Sequence, residues 1–126
     1  KNETEIIGYL NKSKGGNGYY LLEDFKTRYK RVFPELNSDG HPSYSFDRRL
    51  VVTDSYPNRK RMSNVYLIKS DDSNKVHRVA SVFSPFKYDN EFRCDLHPRW
   101  SRNNENVCID SVFEGKRSLY VIKIKE

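Results

Sequence analysis

Short apolar runs recur along the chain, and each is bounded by polar or turn-forming residues. The runs at 50–53 and 107–109 consist of β-branched or small residues, which is typical of strands buried on both faces. Upstream, the pattern predicts a strand at 4–10, a polar loop at 12–18, and either a strand or a short helix at 19–33. The remaining strands are predicted near 42–46, 49–54, 64–69, 76–83, 98–101, 106–111 and 118–124. We therefore expect an all-β chain of antiparallel strands.

One part of this pattern occurs twice. Segment 39–55, DGHPSYSFDRRLVVTDS, and segment 95–111, DLHPRWSRNNENVCIDS, share Asp-x-His-Pro-x-aromatic-Ser and a final Asp-Ser, at a shift of 56 residues without a gap. Both continue into a second apolar strand, NVYLIK from Asn64 and SLYVIK from Ser118, after a two-residue change in loop length. A period of this size with several short strands in each unit is typical of a β-propeller blade. The alternative is a chance likeness between two hairpins.

Each copy carries a large aromatic residue and a polar turn at matching positions. Tyr44 and Trp100 stand on short predicted strands, where we expect them to fill the space between neighbouring sheets. Segments 46–49 and 102–105 are predicted hairpin turns, because they are polar and contain Asp or Asn, which suit turn conformations.

The two segments resemble the blades of TolB-type, WD-repeat-like β-propellers, in which an aromatic-Ser-Pro-Asp-Gly turn precedes an apolar strand. With His-Pro before the aromatic residue, the pattern is similar to the propeller of oligogalacturonate lyases and other polysaccharide-associated proteins. The resemblance covers residues 40–124. It departs from the family pattern in the turns, where Phe46 and Arg102 replace Pro, and Arg48 and Asn104 replace Gly. The resemblance implies a propeller fold and bears less on chemistry, because one fold hosts many functions.

The chain is short for this fold, because it has 126 residues and propellers usually have about 4 to 8 blades. Isolated repeats cannot bury their faces. We therefore predict two partial blades that form the C-terminal piece of a larger propeller. A small self-standing β domain is the alternative.

The predicted organisation is a single structural domain with three parts. Residues 1–38 form an N-terminal strand and connecting segment, 39–84 a first blade, and 85–126 an incomplete second blade. The second blade lacks a fourth strand, which 4–10 could supply from within the chain or from a partner molecule. Because unpaired strand edges invite association, we expect the partner to be the remainder of the parent chain or a homo-oligomer.

The candidate site is the doubled Asp-x-His-Pro motif, with Asp39, His41, Asp95 and His97. Equivalent residues of neighbouring blades converge beside the channel of a propeller, and neutral imidazole and carboxylate are good ligands for zinc or manganese. The resemblance to oligogalacturonate lyases implies such a divalent metal held by histidines. The alternative is that each Asp and His satisfies backbone donors at a blade corner.

Two arginines flank the second motif and are candidate ligand-binding residues. Arg93 and Arg99 could bind the carboxylate of an acidic sugar, or they could pair with Asp or Glu at the surface. We interpret Asp54 and Asp110 as turn caps at strand ends. His77 is interpreted as a solvated side chain.

Charge and cysteine content narrow the function classes only a little. The net charge of +6 is compatible with binding to nucleic acid or to anionic polysaccharide. Because no nucleic-acid motif is present, we place nucleic-acid binding third, behind the two functions given below. No apolar run reaches the ~20 residues of a membrane helix, and no signal peptide is visible. Cys94 and Cys108 leave open both a disulfide and two free thiols.

Two functions from different classes follow. The first is a carbohydrate-associated propeller segment that belongs to a polyuronate lyase or a related polysaccharide-processing enzyme, with a divalent metal. The second is a non-catalytic propeller module that binds carbohydrate or protein, for example one attached to a glycosyltransferase. The sequence shows no set of nucleophile, base and orienting residue, so it does not decide between the two.

Overall fold

The computed structural model describes residues 4–12, 14–71 and 75–125. They form three antiparallel sheets and one short 3-10 turn, Asn90–Phe92. Sheet 1 contains β1 (Glu5–Lys12), β2 (Gly16–Glu23) and β3 (Tyr29–Val32). Sheet 2 contains β4 (Ser43–Tyr44), β5 (Leu50–Asp54), β6 (Met62–Lys69) and β7 (Val76–Phe83). Sheet 3 contains β8 (Arg99–Trp100), β9 (Asn106–Ser111) and β10 (Ser118–Lys123). The all-β prediction is confirmed.

The N-terminal segment forms a sheet of its own, where the sequence indicated only a strand and a connecting segment. The region at 19–33 contributes β2 and β3, so its short-helix alternative is wrong. Strand β1 pairs with β2 from Glu5–Glu23 to Lys12–Gly16. It therefore does not complete sheet 3 within this chain. The loop predicted at 12–18 is shorter than expected, because β2 already begins at Gly16.

Sheet 2 lies between the other two sheets and is buried on both faces. Successive side chains of β5 point to opposite faces of the sheet, and both faces are apolar. Val51 packs in the cluster shared with sheet 1, whereas Val52 packs in the cluster shared with sheet 3. A β-bulge after Val65 shifts the register of β6 and β7. This bulge turns Val76 towards sheet 1 and Val82 towards sheet 3, because one extra residue reverses the alternation.

The two repeated aromatic residues occupy equivalent places in these interfaces. Tyr44 packs against the cluster between sheets 1 and 2, and Trp100 is buried in the cluster between sheets 2 and 3. The indole Nε1–H of Trp100 also donates a hydrogen bond to the carbonyl oxygen of Ser43 at 3.1 Å. Both rings fill the space towards the preceding sheet, as the sequence predicted.

The hairpin turns of the two copies have the same hydrogen bonds. The Ser45 hydroxyl donates to Asp47 Oδ1 at 2.7 Å and accepts the Leu50 N–H at 3.0 Å. In sheet 3 the Ser101 hydroxyl donates to Asn103 Oδ1 at 2.6 Å and accepts the Asn106 N–H at 3.0 Å. The repeat in sequence is therefore a repeat in structure.

Two residues stand where the resembling blades have a turn glycine, and both take the backbone conformation that glycine would take. Arg48 has φ of 61° and Asn104 has φ of 62°. This left-handed region is costly for most residues and less so for Asn. The turn geometry is thus kept although the glycine is not.

We call the Asp-x-His-Pro segments 39–42 and 95–98 the two corners. The first corner contacts sheet 1 closely at Gly40. A Cβ atom on Gly40 would lie 2.0 Å from the backbone oxygen of Asp54 and 2.5 Å from the Tyr19 hydroxyl. That hydroxyl is itself hydrogen bonded to Thr53 Oγ1 at 2.8 Å in the buried interior. Only glycine fits here, and the close approach fixes the chain just before His41.

A buried arginine fixes the crossover that leads into the second corner. Arg61 donates from Nε to the Ser84 carbonyl oxygen at 2.9 Å and from Nη2 to the Tyr88 carbonyl oxygen at 3.2 Å. These bonds satisfy carbonyl groups that no strand partner would reach. The crossover is therefore held at Ser84 and Tyr88 by the residue that directly precedes β6.

Candidate functional site

Three of the four predicted metal ligands come together where the two repeat corners meet. Ligand atoms of His41, Asp95 and His97 all lie within 4.8 Å of one another. The two imidazole rings are 3.8 Å apart between centroids and inclined at 33°. Asp39 is not a member of this group. We call His41, Asp95 and His97 the corner cluster.

A buried carboxylate behind the corner cluster holds both corners. Asp54 Oδ1 accepts the His41 backbone N–H at 2.7 Å, and its Oδ2 accepts the His97 backbone N–H at 3.1 Å. Asp54 also lies 3.0 Å from His41 Nδ1. Its side chain is only 2% exposed, so these donors replace the water it has lost. Asp54 is therefore the residue that links sheet 2 to the corner of sheet 3.

The same contact sets the chemistry of His41. A carboxylate beside Nδ1 favours the tautomer with a proton on Nδ1, which leaves the Nε2 lone pair available. Metal-binding histidines commonly donate their other ring N–H to a carboxylate in this way. Sequence reasoning had identified Asp54 only as a turn cap. Its repeated Asp-Ser context was the available signal, but the link to His97 depends on the packing of two sheets.

The repeat-equivalent aspartate, Asp110, has a different partner. Arg99 donates to its two carboxylate oxygens at 3.0 Å each, and the Asp110 side chain is 43% exposed. Arg99 also donates to the backbone oxygen of His97 at 3.0 Å. Arg99 is thus engaged in an ion pair within the chain, which is the alternative that the sequence analysis left open for it.

Arg93 is likewise paired, in this case with a member of the corner cluster. Its Nε donates to Asp95 Oδ1 at 2.5 Å and its Nη2 to Asp95 Oδ2 at 3.2 Å. The Arg93 guanidinium also lies 4.3 Å from the centroid of the Tyr56 ring. A ligand carboxylate, or a metal ion on Asp95, would have to compete with this pair.

Tyr56 joins the parts of the site and was missed by sequence reasoning. Its ring meets the His41 ring edge to face, with centroids 5.8 Å apart. The pKa of the Tyr56 hydroxyl is raised, chiefly by burial and then by the carboxylates of Asp39 and Asp95. This places Asp39 within electrostatic reach of the site, although it is outside the corner cluster. Tyr56 has no aromatic counterpart in the second copy, where Val112 follows Asp-Ser, so the repeat gave no signal for it.

Two clefts lie at opposite ends of the sheets. A cleft of about 480 Å³ adjoins the corner cluster and is lined by Cys94, Asp95, His97 and Arg117 among others. The larger cleft, of about 890 Å³, is lined by residues that include Leu50 and His77. Leu50 and Asp54 are the two ends of β5, so the larger cleft is remote from the corner cluster.

The thiols contribute no disulfide to the site. Cys94 and Cys108 are both free, which decides the question that the sequence left open. Burial raises the pKa of the Cys94 thiol, so its reactive thiolate form is disfavoured.

Comparison with known proteins supports the fold. The chain is similar to a solved structure from Agrobacterium tumefaciens that is assigned to TolB, with a TM-score of 0.64 and 18% sequence identity. The match covers 94% of this chain and 38% of that chain, so this chain spans well under half the length of the structure that it matches. No protein-family model matches the chain, and no curated protein matches it. The chain therefore has a TolB-like β-propeller fold, and its ligand is not indicated by these comparisons.

We also searched residues 4–12, 14–71 and 75–125 for a helix that could span a membrane. None of their helical segments is long and apolar enough to cross a bilayer.

Proposed function

We propose that this chain is a propeller segment that binds an acidic carbohydrate through a divalent metal ion held by His41, Asp95 and His97. The observation that carries the proposal is that ligand atoms of these three residues lie within 4.8 Å of one another, although they come from two repeat copies. Two imidazoles and one carboxylate suit zinc or manganese. The bound ion would supply a positive centre for a sugar carboxylate.

The surrounding residues support the same proposal. Asp54 holds the Nδ1 side of His41 at 3.0 Å and so presents the opposite ring nitrogen to a metal. Arg93 pairs with Asp95 and so keeps that carboxylate beside the two histidines. In the resembling oligogalacturonate lyases, such blades serve a polyuronate-processing enzyme. We accordingly propose polyuronate as the carbohydrate and a lyase or related polysaccharide-processing protein as the parent.

A non-catalytic binding module is the second candidate, and the paired arginines favour it. Arg93 and Arg99 are both engaged by carboxylates of the chain itself. Binding without turnover needs only the metal and one ligand contact, whereas an enzyme also needs a positioned base. Incubation of the full-length parent protein with polygalacturonate separates the two candidates, since only the enzyme would generate an unsaturated product that absorbs in the ultraviolet.

Calorimetric titration with Zn²⁺ or Mn²⁺ tests the metal site. We expect one ion per chain, a loss of affinity of about tenfold or more in His41→Ala and His97→Ala, and no loss in His77→Ala, since His77 lies at the remote cleft. Galacturonate oligomers should then bind to the metal-loaded chain and not to the metal-free chain. If neither ion binds, and the histidine substitutions lower only the folding stability, the repeated motif is a structural blade corner.

The affinity for metal should also depend on pH. A metal binds neutral imidazole, and ordinary imidazole becomes protonated below a pH of about 6.5. The measured affinity for Zn²⁺ should therefore fall as the pH is lowered from about 7.5 to about 5.5. An affinity that stays constant over this range would point to carboxylate ligands alone.

A further inference from the structure

In each of the three sheets, the hairpin nearest to the two corners carries cations. In sheet 2, β5 ends at Asp54, whose carboxylate binds both corners, so the hairpin between β5 and β6 lies at this end. In sheet 3, the Asp110 N–H donates to the carbonyl oxygen of Leu96 in the second corner at 2.9 Å. The hairpin between β9 and β10 begins directly after Ser111, so it lies at the same end.

The hairpin between β1 and β2 lies at this end too. Arg31 donates to the carbonyl oxygens of Gly15 and Asn17 at 2.8 and 3.0 Å, and it stands at the end of β3 that leads into the first corner. The Tyr9 hydroxyl donates at 3.2 Å to the carbonyl oxygen of Asn37, which also precedes that corner. Because packed sheets lie about 10 Å apart, the three hairpins span a row of about 20 Å.

Several cations of these hairpins have no carboxylate partner. We call them the basic row, and they are Lys12, Lys14, Arg59, Lys60 and Lys116. None of them forms an ion pair with a carboxylate within residues 4–12, 14–71 and 75–125. Other cations at this end are paired, since Arg61 meets Asp89 and Arg99 meets Asp110. The basic row therefore keeps its positive charge for a ligand.

The corner cluster lies beside this row. Tyr56, at the start of the hairpin between β5 and β6, contacts the His41 ring and the Arg93 guanidinium. Arg117, in the hairpin between β9 and β10, lines the cleft of about 480 Å³ together with His97. A long ligand that is held at the corner cluster by one sugar would thus pass over the hairpins with its neighbouring sugars.

We propose that the basic row is a binding track for a polyuronate chain, which extends from the sugar held at the corner cluster over the three hairpins. The inference rests on the proposed function and adds a preference for long chains over short ones. Polyuronate carries a carboxylate on every sugar, so one chain meets several cations of the row at once. Each exposed contact contributes little alone, but contacts along one chain act together.

Single-stranded nucleic acid is a poorer occupant of the row. Its bases bind by stacking on aromatic side chains that lie between cations. Beside these hairpins such rings are already covered within the chain. Lys12 Nζ lies 3.9 Å from the centroid of the Tyr29 ring, and the Arg93 guanidinium lies 4.3 Å from that of the Tyr56 ring. A carboxylated sugar chain needs only the cations.

Removal of two lysines from the row tests the proposal. Lys60→Ala/Lys116→Ala is compared with Lys69→Ala/Lys125→Ala, which removes the same charge at the remote cleft. All four lysines are exposed, so neither double variant should lose stability. The full chain, loaded with one equivalent of Zn²⁺, is titrated calorimetrically with digalacturonate and with a galacturonate oligomer long enough to span the row.

We expect Lys60→Ala/Lys116→Ala to bind the long oligomer more weakly than the wild type by about fivefold or more. Its affinity for digalacturonate should stay within about twofold of the wild type, because that ligand reaches only the corner cluster. The control variant should bind both ligands within about twofold of the wild type, since its lysines lie beyond the range of unscreened charge.

The outcomes separate this inference from the proposed function. If the wild type binds Zn²⁺ and digalacturonate, and the two double variants weaken binding of the long oligomer equally, the basic row is wrong while the proposed function stands. If the wild type binds neither Zn²⁺ nor Mn²⁺, both are overturned. Single-stranded DNA that binds more tightly than the long oligomer, and that only Lys60→Ala/Lys116→Ala weakens, would overturn the inference in favour of nucleic acid.

Discussion

At the scale of single residues, the stability of the two corners depends on positions where one added atom or one lost charge has a large effect. Gly40 and Asp54 are both of this kind, because the backbone oxygen of Asp54 blocks a side chain at Gly40 and its carboxylate binds both corners. Each residue can be compared with a counterpart in the same chain that lacks the constraint.

Gly40→Ala should destabilise the protein by about 1–3 kcal/mol, because its new Cβ would meet the Asp54 backbone oxygen and overpack the site. Gly8→Ala is the control, since a Cβ there meets nothing within 4 Å. That control should be neutral or slightly stabilising, because alanine suits a strand better than glycine. Urea denaturation of both variants measures the difference, and equal stabilities would contradict the close contact.

Asp54→Asn should lower the free energy of unfolding by about 1.5–3 kcal/mol, because it removes hydrogen bonds to a charged group and brings an NH₂ group against a backbone donor. The equivalent substitution Asp110→Asn should cost no more than about 1 kcal/mol, since Asp110 forms only an exposed ion pair. Chemical denaturation of the two variants checks this contrast. Equal losses would mean that Asp54 does not link the corners.

The acid sensitivity of the first turn should depend on Asp47. The hydrogen bond from the Ser45 hydroxyl, and secondly those from Arg49, lower the pKa of Asp47 from 3.8 to about 2. A pKa that is lower in the folded state stabilises the protein above the ordinary pKa, and this stabilisation is lost as the pH falls towards 2. The stability gap between the wild type and Asp47→Asn should therefore be largest above pH 4 and close by pH 2. A gap that is independent of pH would contradict this role.

At the scale of elements, the repeat predicted the strands well where it applied. The matching turns around Ser45 and Ser101, and the equivalent placement of Tyr44 and Trp100, were predictable because each rests on local pattern and period. Sheet 1 was not predicted as a sheet, since no second copy of its sequence exists for comparison. Its pairing is also set by packing against Val51 and Ile68.

The candidate site was predictable only in part for a similar physical reason. The period placed His41 and His97 together, because equivalent positions of adjacent sheets face the same side. It could not show that Arg93 pairs with Asp95 or that Tyr56 contacts both the His41 ring and the Arg93 guanidinium. Those contacts involve residues that differ between the copies, so only the packed structure shows them.

Trp100→Ala tests the interface between sheets 2 and 3. The side chain is buried and its ring nitrogen is hydrogen bonded to the Ser43 carbonyl oxygen. Removal of a buried Trp should destabilise the protein by about 3–5 kcal/mol. Exposed Phe25, which is 101% exposed, gives the control Phe25→Ala, which should change stability by less than about 0.5 kcal/mol. A loss below about 1 kcal/mol for Trp100→Ala would show that the two sheets do not pack through this ring.

At the scale of the whole molecule, two sheets of a TolB-like propeller each contribute one corner to a shared cluster. Asp54 joins the two corners from behind, because its carboxylate accepts the backbone N–H groups of both His41 and His97. We propose that the repeat brings His41 and His97 onto one divalent ion.

X-ray absorption at the zinc edge, on the full chain with one equivalent of Zn²⁺, tests this claim most directly. We expect two imidazole nitrogens at about 2.0–2.1 Å from the zinc ion, together with oxygen ligands. We also expect the loss of one imidazole in His97→Ala and of none in His77→Ala. A spectrum with oxygen ligands alone, or one that neither His41→Ala nor His97→Ala changes, would contradict it.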